Sequence, residues 1–396
     1  MRDLAPRSLL GRPVAALAAT LALLAGATVP AAAADRASIK VNQEDFRSKE
    51  AVWITGKVPG KKSGVKVYVY MQDLKTGKRG HVATVRSNSK GTFKARIVPS
   101  GSSKFYVKVK GHDTSKKVSV AKASGKRTLE DRARTAYSLG SPQGGKKTLS
   151  RSKSSSVKGA SVDRVRHRNY AKALLVEVTK GSTVRTWRVD GKIRKAYLKA
   201  GGPTGKYGVP LGDARCHLIE EGCIQRFTNG ALYENKNIKK ATGQTGRTRE
   251  TELLATARSQ LSYRSTRLKS KFNKWTGSVG QPWCSAFVSW VSAASGNGSV
   301  IPKRARLYQL IPEAKKTMRT YKNSSKREPR LGTLAFFDFG GRGEATHVGF
   351  VIKATKSKLY TLEGNASKTA KFTAKRGVFL HERPRYRVNF YADLRW

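Results

Sequence analysis

Cys284 stands in Gln281-Pro282-Trp283-Cys284-Ser285-Ala286-Phe287-Val288-Ser289-Trp290, directly before apolar residues at helical spacing. A thiol at a helix start meets unpaired backbone N–H groups and the positive end of the helix dipole. Both favour the thiolate, which is the attacking form, and the same N–H groups can hold an oxyanion. Two later segments supply partners for it. His347 lies in Ala345-Thr346-His347-Val348-Gly349-Phe350-Val351, and Glu363-Gly364-Asn365 closes the next apolar run. Glu363 and Asn365 are two residues apart, so on a strand they share a face, and antiparallel pairing can bring that face beside His347. A nucleophile, a base and a group to orient the base are then available together. Each has a structural counterpart, as packing thiol, core imidazole or turn, and what separates them from these is their company. His81, His112, His167 and His381 lack it and read as structural or surface residues.

The chain has three cysteines. Cys216 and Cys223 bracket His217-Leu218-Ile219-Glu220-Glu221-Gly222, a loop short enough for its ends to meet, and in an oxidising compartment they should pair. A metal site with His217 would lack further ligands. Pairing leaves Cys284 alone, and a free thiol in an exported protein needs a reason. Export is read from residues 1–34, where Arg2, Arg7 and Arg12 precede the uncharged run Val14 to Val29 and the small residues Ala31 to Ala34. This is the pattern of a cleaved secretory signal peptide, with no later apolar stretch long enough to span a membrane.

Lys and Arg number 80 against 25 Asp and Glu, a formal charge of +55. Such a chain seeks polyanions. Outside the membrane these are anionic cell-wall polymers, lipid headgroups or DNA. No zinc-finger spacing, basic heptad helix or base-stacking motif marks a specific nucleic-acid binder.

The elements that must position these groups fall into a multidomain order. Residues 36–122 carry alternating runs at 51–55, 65–71, 81–85, 92–98 and 105–109, expected as an all-β, Ig-like sandwich. Residues 123–161 are rich in Ser, Gly and Lys and read as a basic, self-repelling linker between mobile modules, with a short helix around 129–139. Residues 162–239 show short strands at 173–178 and 184–189, then Lys192 to Leu198, then a Gly-rich stretch. Residues 249–396 change to α+β, with helical stripes at 251–261 and from Ser285 onward, followed by strands at 333–339, 346–354, 359–364 and 378–382.

Two resemblances follow from quoted residues. Gly201-Gly202, Tyr207-Gly208-Val209-Pro210 and the closing Gln225-x-Phe227-x-x-Gly230-x-x-Tyr233 resemble an LGFP repeat, which implies an actinobacterial-type wall-binding module. Trp283 to Trp290, His347 to Val351 and Glu363-Gly364-Asn365 together resemble the CHAP family, the cysteine- and histidine-dependent amidohydrolases and peptidases. That resemblance implies a papain-like core with Cys284 as nucleophile, His347 as base and then acid, and Glu363 as orienter with Asn365 as neighbour or substitute. The upstream oxyanion donor is assigned to Gln281, the nearby side-chain amide. The expectation is a secreted, monomeric peptidoglycan hydrolase that cuts an amide by a thioacyl route, as amidase or endopeptidase. No cofactor is expected. Some relatives bind calcium, but no Asp or Glu lies between Glu252 and Cys284, so no metal is expected either. The competing expectations are a wall-binding adhesin with a degenerate catalytic domain, and a cationic membrane-active or nucleic-acid-binding protein.

Overall fold

The computed structural model describes residues 35–266, 268–324, 327–367 and 375–396; the leader expected over 1–34 lies outside them. Period-two patterning governs the first β region. Along Ser103–Val109, residues Phe105, Val107 and Val109 turn inward while Lys104 and Lys108 face solvent. This strand pairs antiparallel with Lys66–Asp73, which pairs with Arg79–Arg86. Val52–Lys57 and Thr92–Ile97 belong to a second sheet. Both sheets contribute to one core that includes Phe46, Ile54, Val67, Val69, Phe93 and Phe105. The five expected runs all fall on strands. The short strands Lys40–Val41 and Asp45–Phe46 were too brief to show a pattern.

Residues 123–161 depart from the extended, mobile linker expected of them. Helix α1, Leu129–Thr135, opens on a capping box between Thr128 and Asp131. Its Arg132, 1% exposed, bonds to Glu50 of the first β region and to Asp213 further along the chain at 2.7 Å. Asp213 also accepts from the N–H groups of Ala51 at 2.9 Å and Arg188 at 2.6 Å. The strand Lys147–Thr148 and the short helix α2, Arg151–Ser155, follow. Composition suggested self-repulsion, but Arg132 meets buried carboxylates on both sides, and Arg127 reaches one of them, Glu50, as well. Removing one partner would strand a buried charge, so Arg132→Ala is expected to lower unfolding stability by about 3–5 kcal/mol. A urea titration checks this, and a loss under about 1 kcal/mol would show that the cluster does not tie the modules together.

Strands Thr183–Asp190, Ala173–Lys180 and Arg164–Asn169 and the strand at 147–148 follow one another in that order in one antiparallel sheet. The next segment is helical. Helix α3, Gly191–Lys199, buries Ile193 and Tyr197, one turn apart, and ends at Gly201 with φ 96°, a left-handed position that suits glycine. A further sheet orders Arg215–Leu218, Gly222–Phe227, Gly230–Glu234 and Thr242–Thr245. Its first hairpin carries the Cys216–Cys223 disulfide, and Cys284 is free and buried.

Helix α4, Glu250–Arg258, serves two cores. Ala255 packs with Ile224, Ala231 and Tyr233 of the preceding sheet, while Leu253, Leu254 and Ala257 enter the C-terminal core. That core also holds helices α5, Lys271–Thr276, α6, Cys284–Ala294, and α7, Leu307–Thr317. The helices pack on an antiparallel sheet whose described strands run in the order Arg264–Thr266, Lys375–Pro384, Lys358–Ala366, His347–Ala354, Leu334–Phe337, Val388–Asp393, Arg319–Lys322. The disulfide hairpin is fastened to this region by Glu220–Lys271 at 2.6 Å, and Arg215 of the same hairpin reaches Glu252 at 2.9 Å. The described chain is therefore mostly β, with several sheets, a few helices and an α+β C-terminal region.

Candidate active site

Helix α6 is buried from Cys284 to Ser292, with Ser285, Ser289 and Ser292 donating to the carbonyls of Arg304, Pro302 and Asn297, so it runs through the core from its first residue. Trp283 precedes it in a non-helical conformation (φ −119°, ψ 21°) and stacks on Phe272 with centroids 5.2 Å apart. The approach to the helix is held by Asn273. Its Nδ2 donates to the carbonyls of Ser278 at 3.1 Å and Gln281 at 2.8 Å, and its own N–H is capped by Ser270 Oγ at 3.0 Å. Cys284, at the first helical position, has no carbonyl within the helix for its own N–H.

Two glycines let the sheet approach the helix and hold the site together. A Cβ on Gly364 would lie 2.4 Å from Phe287 Cγ, so only glycine lets the strand Lys358–Ala366 lie this close to α6. A Cβ on Gly349 would lie 2.6 Å from Glu363 Cγ, the space that Glu363 occupies on its way to His347. Gly349 and Glu363 are directly paired across the two strands. The His-Val-Gly and Glu-Gly-Asn segments thus owe their glycines to close approach.

His347 is 8% exposed and Glu363 fully buried. His347 Nε2 and Glu363 Oε2 are 3.0 Å apart. The Cys284 side chain is a second polar neighbour of the imidazole and helps to raise its pKa. Glu363 is held in turn by Arg383, whose Nε donates to Oε1 at 2.9 Å and whose Nη2 donates to Oε2 at 2.6 Å. Thr361 Oγ1 donates to Oε1 at 2.6 Å. The carboxylate oxygens are thus saturated with donors.

These contacts set the charges. Burial alone would lower the basicity of His347, but the interactions with Cys284 and Glu363 overcome it and raise its pKa to about 9. Burial alone would raise the Glu363 carboxyl, yet the hydrogen bonds and charges of Arg383 and His347 hold it far below the usual carboxylate range. At neutral pH the imidazole is therefore protonated and the carboxylate ionised. Because the folded pKa of His347 lies above its ordinary 6.5, its stabilising contribution is complete below pH 6.5 and is lost as pH rises through about 9. Any reaction that needs the protonated imidazole is expected to show the same limb, with its rate falling above pH 9. Glu363→Gln should move that limb to lower pH, and an unmoved limb would show that the carboxylate does not set the imidazole charge.

The other expected site residues lie differently. It is Glu363, not Asn365, that bonds to His347 Nε2. The pairing shifts register between Glu363 and Ala366, and Asn365 takes a left-handed φ of 58°, so strict alternation ends just before it. Its Oδ1 is buried without a protein partner among the described residues. Gln281 is half-buried, and its backbone carbonyl is tied to Asn273. Sequence reasoning missed Thr361, Arg383 and Asn273. Thr361 was within reach of it, two residues before Glu363 on the same strand face. Arg383 follows the expected strand 378–382 by one residue, and nothing in its neighbourhood marks it as an inward-facing charge. Among the described residues no cluster of three or more His, Cys, Asp or Glu side chains is placed to hold a metal ion.

A thiol, an imidazolium and a buried carboxylate in sequence, with the thiol at a helix start, form the kind of site that cleaves amides through cysteine. The CHAP-domain family model matches residues 275–365, a span containing Cys284, His347, Glu363 and Asn365. That domain suggests a peptidoglycan amidase or peptidase activity. The match covers less than a quarter of the chain. No curated protein matches it.

Proposed function

We propose that the protein is a secreted cysteine hydrolase that cleaves an amide of peptidoglycan, either the muramoyl–alanine bond or a bond in the peptide stem or bridge. The placing of Cys284 at the start of α6, with its side chain acting on an imidazole that is held by the buried Glu363, supports this most directly. In the resting site the proton rests on His347, and the Cys284 sulfur attacks the amide carbon as thiolate. The carbonyl oxygen takes the developing charge, facing the Cys284 N–H, with Gln281 as a candidate second donor. Collapse breaks the C–N bond, and His347 delivers its proton to the leaving amine. Water then attacks the thioester while His347 accepts its proton, and collapse releases the carboxylic acid and restores the sulfur. Glu363 keeps the imidazole in orientation throughout, and Arg383 and Thr361 keep Glu363 in place.

The remaining modules divide the labour in this reading. Residues 1–34 direct export, 36–122 form an Ig-like spacer or adhesion module, 123–161 join the modules, 162–239 bind the wall as an LGFP-like module, and 249–396 catalyse. The protein acts as a monomer at the cell wall. The disulfide and the lack, among the described residues, of a helix able to cross a membrane are compatible with that location. Alkylation with iodoacetamide tests the catalytic assignment. Labelling of the native protein at Cys284 alone, with parallel loss of wall clearance, is expected. Full activity after complete labelling of Cys284 would overturn the proposal.

A further inference from the structure

Helix α3 carries Lys192, Lys195, Ala196 and Lys199 on one stripe, at spacings of three and four residues, continued by Ala200 at its C-cap. That stripe forms one wall of a cavity of about 500 Å³. Ile193 and Tyr197, on the flank of that stripe, are in the core, and Ala196 and Ala200 pack against it. Lys206, Lys239 and Lys240 reach the same cavity from two other segments, over a floor of Tyr207, Leu232 and Ala241. Lys192 does not face a ligand. Its Nζ donates to the carbonyls of Asn235 at 2.8 Å and Ile238 at 2.6 Å, which fixes the loop that presents Lys239 and Lys240. The other five lysines form no ion pair with a carboxylate among the described residues. Glu234, on a neighbouring strand, is turned away to accept the Ile193 N–H at 2.9 Å.

Like charges one helical turn apart are mildly destabilising, so this convergence is a cost without an anion to offset it. The cavity size suits a ligand segment, and the small apolar floor suits the carbon face of a polyol or sugar. All the charged residues lining it are lysines. Ammonium groups act as separate point charges, suited to successive phosphates, whereas planar carboxylates are matched by the arginine fork that is absent from the lining. Tyr207, the aromatic in the lining, is only 6% exposed and offers no platform for stacked bases. We infer that this cavity is a binding site for a phosphodiester-linked anionic glycopolymer. The inference deepens the wall-binding part of the proposed function and does not depend on the catalytic part.

The test uses the full chain and reads binding without turnover, so failure of the hydrolase reading leaves it interpretable. One variant carries Lys195→Gln, Lys199→Gln, Lys239→Gln and Lys240→Gln. A charge-matched control carries Lys62→Gln, Lys66→Gln, Lys75→Gln and Lys90→Gln in the first β region. The probes are poly(glycerol phosphate), polygalacturonate and single-stranded DNA, each across a salt series. On poly(glycerol phosphate) the cavity variant is expected to lose about tenfold or more in affinity, with a shallower salt dependence, and the control less than about twofold. The parent should prefer that probe over the other two. Equal losses in both variants would reduce the site to net charge. Equal or tighter parent binding to the uronate polymer or to DNA would overturn the assignment of ligand. Unchanged melting temperatures confirm that both variants are folded.

Discussion

Cys284→Ala is expected to reduce clearance of purified walls by about 10⁴-fold or more while leaving wall binding and melting temperature nearly unchanged. The substitution removes one sulfur from a buried position at the start of α6. Only the covalent step depends on that atom. Alanine is a good helix former and fits the same space, so the core around Trp283 and Phe287 has no reason to move. The basic surface and the middle module that are proposed to bind the wall lie elsewhere in the chain. A Cys284→Ala protein that clears walls as fast as the parent would leave the adhesin reading in place of the enzyme.

His347→Ala is expected to cost nearly as much, because two steps lose their proton carrier. The leaving amine departs unprotonated, and the water that resolves the thioester has no base. It also leaves Glu363 with Arg383 and Thr361 as its donors, so the carboxylate stays paired and the fold should survive. Glu363→Gln should cost less, about 10²-fold to 10³-fold, since the imidazole loses its orienter and its charge partner but remains present. Asn365→Ala should stay within about tenfold of the parent, because it is Glu363 that meets Nε2. Steady-state kinetics on a soluble muropeptide compares all of them. A larger loss from Asn365→Ala than from Glu363→Gln would reverse the assignment of the orienting group.

Much of this site was legible in the chain because its parts obey local rules. Cys284 could be placed at a helix start because Phe287, Val288 and Val291 follow at helical spacing, and α6 begins at that residue. The common face of His347 and Glu363 followed from alternation and antiparallel pairing, which the register bears out at Gly349 and Glu363. Alternation could not decide between Glu363 and Asn365. The register shift and left-handed backbone that separate them are local departures from regular strand, next to the close approach of Gly364 to Phe287 of α6. Arg383 was illegible for a different reason. An arginine after a strand usually reads as solvated, and only the buried carboxylate across the sheet turns it inward. The same blindness applies to residues 123–161, where composition argued for an extended linker and Arg132 instead found Glu50 and Asp213. In both places the partner is distant in sequence, and charge patterning along one segment carries no record of it.

Mass spectrometry of the fragments released from purified peptidoglycan tests the catalytic reading most directly. Incubation with the parent protein should produce a matched pair of new ends, one free amine and one carboxyl, at a single type of amide bond, and incubation with Cys284→Ala should produce neither. New reducing sugar ends without new amines, or the same amide products from Cys284→Ala, would contradict an amide hydrolase built on Cys284.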